Sequence, residues 1–268
     1  MRKNAWVICC CTAVLAAFGT FFRWLQDQVC FEAETGLAVR GSIWPYAVAL
    51  LIVIAAVVLA VVCFRMKNQP HTSFPDSLPA AFAAAQRVRT IGGIVLGALL
   101  AAGGLWLLLG SGTLSSPGLQ RVLAVLAIVT GAAFARQMLA PGDAEATSGA
   151  VVCASLPIVL LAFWLIVSYK VNIINPTISA YAVEILALCA ALIAFYQLAG
   201  FAYGRPKAIK SIFWSQFAAF LCITALPDDR AGGQQLMLAA IAGILVFQSY
   251  LTASNIRPAV SGPVGGAQ

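Results

Sequence analysis

Long apolar runs recur along the chain, each closed by a short group of charged, proline or glycine residues. A helix that crosses a bilayer needs about 17–25 mostly apolar residues. Eight segments meet that need, near residues 5–25, 43–64, 90–110, 119–139, 148–169, 177–202, 210–227 and 232–253. The fourth and seventh carry the weakest signal. Arg121 and Arg136 lie close to the ends of the fourth, and the seventh is short and stops at Pro227. The pattern predicts an all-α protein: a polytopic transmembrane helical bundle of about eight helices. Residues 1–256 are expected to form a single transmembrane helical domain. The Gly/Pro-rich tail, 257–268, is expected to be disordered.

Composition points the same way. Of 268 residues, 62% are hydrophobic and 9% charged. A soluble domain carries about 45–50% apolar and about 25% charged residues. Too few charges remain to cover a water-facing surface, and lipid is the solvent that accepts the rest. Arg2 and Lys3 ahead of an apolar run resemble the start of a secretory signal. The run continues to Phe22 without a small-residue cleavage pattern, so an uncleaved first helix is expected.

The net charge of +7 is spread over loops rather than gathered in a nucleic-acid-binding patch. With the N-terminus inside and eight spans, Arg2, Lys3, Arg65, Lys67, Arg87, Arg89, Arg136, Arg205, Lys207, Lys210 and Arg257 fall inside. Arg23, Arg40, Arg121, Lys170 and Arg230 fall outside. That sorting satisfies the positive-inside rule and places both termini in the cytoplasm of a plasma-membrane protein. An odd number of spans would spoil it. In the internal stretch 65–89, Leu78 and Phe82 with Arg87 suggest a short helix lying in the lipid boundary before the third span.

Membrane helices associate through close backbone approach and polar contacts, because lipid solvates leucine as well as leucine does. Gly93, Gly97, Ala101 and Gly104 form one small-residue face of the third span and are expected to pack on a neighbour. Gly200 and Gly204 make a weaker pair at the inner end of the sixth. Pro157 is expected to shape the packing of the fifth span by removing a backbone hydrogen bond.

Glu184 is the acidic residue within a predicted span. It lies about 12 Å along the sixth helix at 1.5 Å per residue. A charge there is costly unless paired, wet or protonated. Ala180, Glu184, Ala187, Ala191 and Ala194 share a face, so Glu184 is expected to point inward. Arg23, Tyr169, Lys170, Asn172, Asn175 and Tyr181 fall at the same membrane level. Together they form a candidate polar site, read either as a substrate, cation or proton site or as a buried clamp joining three spans.

Catalytic and metal motifs are missing from the sequence. His71 is the single histidine and lies in a predicted loop, so neither a zinc protease motif nor a Ser–His pair fits within the spans. No predicted span has an internal aspartate, and no P-loop occurs. Gly110-Ser111-Gly112 reads as a helix end. The eight cysteines contain no C-x-x-C pair and read as small apolar side chains. No cofactor, metal or nucleic-acid partner is implied. The expected partners are the bilayer itself and either a second copy or a partner membrane subunit.

Three stretches carry a resemblance. They are Arg23-Trp24-Leu25-Gln26 with Phe31-Glu32-Ala33-Glu34-Thr35-Gly36-Leu37; Tyr169-Lys170 with Asn175-Pro176 and Tyr181; and Glu184-Ile185-Leu186-Ala187 with Tyr196 and Ala199-Gly200-Phe201-Ala202. Across most of its length the chain resembles an uncharacterised family of bacterial polytopic membrane proteins. That resemblance implies a fold type and no activity. Two functional readings stand open from the sequence. One is a small-molecule or ion permease, or the membrane subunit of one. The other is a non-transporting assembly, sensory or regulatory subunit. An intramembrane enzyme is disfavoured because the usual catalytic side chains are missing.

Overall fold

Each of the eight expected spans is a helix in the computed structural model, which describes residues 2–30, 42–68, 72–83, 86–110, 116–139, 148–172 and 178–258. The elements are α1 (Arg2–Val29), α2 (Trp44–Lys67), β1 (Thr72–Ser73), α3 (Leu78–Ala81), α4 (Gln86–Leu109), α5 (Pro117–Leu139), α6 (Ser148–Asn172), α7 (Ile178–Ala202), α8 (Ala208–Thr224), α9 (Gly232–Ser254) and β2 (Arg257–Pro258). Seven helices are long and apolar enough to cross a membrane. The eighth, α8, has 17 residues.

Despite its length, α8 runs the depth of the bundle. At one end its Ile212 packs with Ala5 and Ile8 of α1, Cys63 and Met66 of α2, and Ala253 of α9. At the other, Thr20 of α1 donates a 3.2 Å hydrogen bond to the carbonyl of Ile223. The end holding the start of α1 and the close of α9 is the terminal end; the opposite one is the far end. Exposed Trp6 and Tyr203 ring the terminal end, and Trp24, Tyr46, Trp106 and Tyr169 ring the far end. Such girdles mark the two headgroup levels of a bilayer.

Helices α4 to α9 form a ring in which each packs on the next and α9 closes back on α4. Helices α1 and α2 pack outside, against α8. A small apolar cavity lies at mid-depth inside the ring, bordered by Leu100, Thr130, Phe134, Pro157, Phe195 and Ile241. Helix α6 runs on through Pro157.

The face carrying Gly93, Gly97, Ala101 and Gly104 lies on α5. A side chain at Gly93 would strike Met138. One at Gly97 would come 2.5 Å from the Gly131 carbonyl oxygen, and one at Gly104 would come 2.7 Å from that of Ala124. Gly131 answers from α5, against the backbone of Gly97 and Ala101. A second narrow face of α4 meets α9, where Gly103 and Gly233 approach backbone to backbone. The far end of this hairpin is tied by Gln120, whose Nε2 donates to the Leu107 carbonyl at 2.6 Å and the Gly110 carbonyl at 2.7 Å. These are carbonyls that the end of α4 would otherwise leave open.

Three expectations about connectors change. Phe82 is buried inside the protein rather than resting in lipid, and α3 is a single turn. The cause is a tether: Asn255 Nδ2 donates to the Ala81 carbonyl at 2.9 Å, drawing the segment onto the end of α9. Gly204 is a helix cap and not a packing partner of Gly200. Its φ of +68° and the 2.8 Å bond from Arg205 N to the Gly200 carbonyl form a Schellman ending to α7. Nothing lies within 4 Å of a side chain added at Gly204. Gly204→Ala is therefore expected to cost about 1–2 kcal/mol from backbone strain alone, read as a fall in unfolding midpoint. Finally, Arg257 and Pro258 pair antiparallel with Ser73 and Thr72, so the first two residues assigned to the tail join the fold. Residues 259–268 lie outside the described residues, as do 31–37.

Candidate functional site: a buried ion-pair chain at the far end

The last two turns of α1 place Arg23, Gln26, Asp27 and Cys30 on one face, at the i, i+3, i+4 and i+7 spacing of a helix. The helix continues to Val29, beyond the loop start expected at Gln26. That face looks onto the connection between α8 and α9. Because α8 is short, about 25 Å at 1.5 Å per residue, its exit turn sits below the ends of its longer neighbours. Asp228 and Arg230 follow that turn directly and are drawn into the bundle with it.

The result is an alternating chain of charges. Arg23 Nε donates to Asp228 Oδ1 at 2.6 Å. Arg230 Nη2 donates to the other carboxylate oxygen, Oδ2, at 2.5 Å. Arg230 Nε then reaches Glu184 Oε2 on α7 at 3.2 Å. On the opposite side, Asp27 stands 3.8 Å from Arg23 Nε. Arg23 is 1% exposed, and Asp228 and Glu184 are each 6% exposed. Neutral groups hold the chain in place. Arg23 Nη1 donates to Gln26 Oε1 at 3.1 Å, Arg230 Nη1 to the Ala225 carbonyl at 2.7 Å, and Gln235 Nε2 to the Asp228 carbonyl at 3.2 Å.

Charges out of water are costly one at a time, and close pairing with added hydrogen bonds offsets that cost. This chain meets the condition. Among the described residues it contains three carboxylates and two guanidinium groups, so with each of these ionised it is one positive charge short. It joins α1, α7 and the lead into α9.

The sequence-predicted site residues separate in the structure. Glu184 is buried as its Ala-lined face implies, with Ala187, Ala191 and Ala194 fully enclosed. It shares a connected network with Arg23, through Asp228 and Arg230. Tyr169 is 62% exposed and belongs to the far aromatic girdle. Lys170 is exposed and Tyr181 half-buried. Among the described residues no hydrogen bond or ion pair joins Tyr169, Lys170 or Tyr181 to Glu184. Asn172 turns back on its own helix, donating to the Ser168 carbonyl at 2.9 Å. Asn175 lies outside the described residues.

By the loop-charge sorting Arg230 is an ordinary outer charge, and the sequence singles out neither it nor Asp228 as a partner of Glu184. The available signal was their position: Asp228, Asp229 and Arg230 directly after Pro227, behind the shortest apolar run. A loop entered from a short helix sits deeper than one entered from a long helix.

The fold and this site define a class, a multi-pass helical membrane protein with a buried ion-pair chain toward one end. No family model, curated protein or solved structure matches the chain.

Proposed function

We propose that the protein is a small-molecule or ion permease, or the membrane subunit of one, and that the Arg23–Asp228–Arg230–Glu184 chain is its far-end gate. The observation that carries this is the ion-pair chain extended by Asp27 beside Arg23, in which the described residues supply one carboxylate in excess. Ionisable groups inside a membrane typically mark substrate, ion or proton pathways. A chain one positive charge short attracts a proton or a cation, and neutralising one of its carboxylates loosens the arginine paired with it. The gate then has two states, paired and released. The sorting of loop charges supports a plasma-membrane location with the terminal end in the cytoplasm. Kinship with the uncharacterised bacterial family belongs to the same proposal.

The test is uptake into proteoliposomes, with a pH-sensitive dye inside and a panel of small solutes and monovalent cations outside. Glu184→Gln keeps a hydrogen-bond acceptor for Arg230 but cannot carry the charge. It is expected to abolish coupling to the proton or cation while the protein remains folded. Unchanged uptake and coupling across the panel would remove the support for this reading.

The close Gly-to-backbone contacts of α4 with α5 and α9 favour a second reading, a non-transporting subunit that acts as a rigid platform. Native mass spectrometry of gently extracted protein separates the two. A stoichiometric second chain without solute uptake favours the platform.

A further inference from the structure

A second set of polar side chains lies on α8 and α9 in the half of the bundle nearer the terminal end, and two of them, Gln216 and Ser249, meet on the seam between these helices. Ser211, Ser215 and Gln216 come from α8, and Gln248, Ser249 and Thr252 from α9; all are at most 3% exposed. Among the described residues, one side-chain hydrogen bond crosses the seam: Gln216 Nε2 donates to Ser249 Oγ at 2.5 Å. The same nitrogen lies 3.4 Å from Cys9 Sγ of α1. Among the described residues, four oxygens of this set have no hydrogen-bond partner: Ser211 Oγ, Ser215 Oγ, Gln216 Oε1 and Gln248 Oε1.

The two serines depart from the habit of their neighbours. A hydroxyl on a helix usually bonds the carbonyl one turn back. Thr12, Ser155, Thr224 and Thr252 all do so. Ser211 and Ser215, one turn apart on one face of α8, do not. The four oxygens are also sealed, with essentially no surface open to a water-sized sphere. A buried polar atom loses its hydrogen bonds to water and here regains none. That penalty applies only while the seam is shut, so it lowers the cost of parting the helices. The far end carries the opposite device, since opening there breaks ion pairs.

We propose that the α8–α9 seam opens at the terminal end. There it exposes a neutral, acceptor-rich wall to water and to small uncharged hydrogen-bond donors, while the far end stays fastened by the ion-pair chain. The structure is the shut state of that seam. Such an opening needs no transport to occur. Thiol labelling reads access and the Glu184→Gln uptake assay reads movement of solute, so each idea fails on its own.

The test uses the full-length chain in oriented membrane vesicles and a small hydrophilic methanethiosulfonate. Ser215→Cys and, separately, Ser211→Cys are made with the native cysteines other than Cys222 changed to alanine. Serine and cysteine are close in size, and a thermal melt checks each fold. Cys222 lies seven residues beyond Ser215 on the same face, fully buried beneath the ion-pair chain, and serves as the internal control. From the terminal side, either introduced thiol is expected to react about tenfold or more faster than Cys222. Adding Gln248→Leu removes one unpartnered oxygen from the shut state and is expected to slow that labelling about tenfold. Labelling no faster than Cys222 at both positions, or labelling from the far side alone, overturns the proposal. So does labelling that Gln248→Leu leaves unchanged.

Discussion

Arg23→Met is expected to destabilise the protein by about 3–5 kcal/mol, the usual cost of removing one partner from a buried ion pair. Arg23 supplies the 2.6 Å contact to Asp228 and is the nearest guanidinium to Asp27. Without it, Arg230 alone faces Asp228 and Glu184, and Asp27 keeps no close cation among the described residues. Methionine preserves much of the length and apolar bulk of the stem, so the loss reports charge and hydrogen bonding rather than a cavity. Adding Asp228→Asn to Arg23→Met removes an opposite charge with the first and is expected to recover at least half of the loss. Denaturing-detergent titration in mixed micelles, followed by circular dichroism, measures both. A single variant within about 0.5 kcal/mol of the parent, the range of ordinary surface changes, would mean that the chain is solvated and not a closure. Glu184→Gln changes an end member and leaves an acceptor in place, so its stability loss is expected to be smaller. That difference keeps the uptake test free of an unfolding artefact.

Gly131→Val is the second large effect, expected at about 3 kcal/mol or more, the upper range of overpacking costs. A side chain there runs into the Gly97 carbonyl oxygen, with the Ala101 nitrogen 3.0 Å away and the Ala101 Cβ 3.2 Å away. The first two are backbone atoms, and no rotamer change moves them aside. The helices must separate, and separation removes the close contact on which association in lipid depends. Gly118→Ala is the matched control. Nothing lies within 4 Å of the added methyl group, and the residue sits in the first turn of α5. It is expected to be neutral or to stabilise by up to about 1 kcal/mol, since alanine favours the helix. The same titration reads both variants. Equal small effects would show that α4 and α5 are not held by this face.

Much of this architecture is legible in the sequence because one term dominates. A run of about 20 apolar residues has few alternatives to a membrane helix, since every backbone group must be satisfied within the segment. Even the short seventh run, 210–227, behaves as the others do. The small-residue face of α4 follows from i, i+4 spacing, and that spacing is a property of the helix itself. The inward aim of Glu184 follows the same rule, through the alanines that share its side of α7.

Which partner meets each face depends on distances across the chain, and the sequence does not encode those locally. Level in the membrane grouped Tyr169 and Lys170 with Glu184, yet both are exposed. Two residues at the same depth can lie on opposite sides of a bundle. The partner of Glu184 is Arg230, 46 positions away, in a connection that reads as an ordinary polar loop. The length of α8 decided that pairing by lowering its exit turn into the protein.

By itself, then, the sequence determined the class of solvent, a bundle of about eight apolar helices and the helix faces suited to close contact. Each of those is settled by local hydrophobicity and the 3.6-residue period. Only the tertiary structure decided that α5 and α9 receive the two narrow faces of α4, that five charged residues among those described join in one chain, and that polar side chains of α8 and α9 are buried together. Those outcomes are set by the packing of whole helices. Burial and pairing there depend on neighbours brought together from distant parts of the chain.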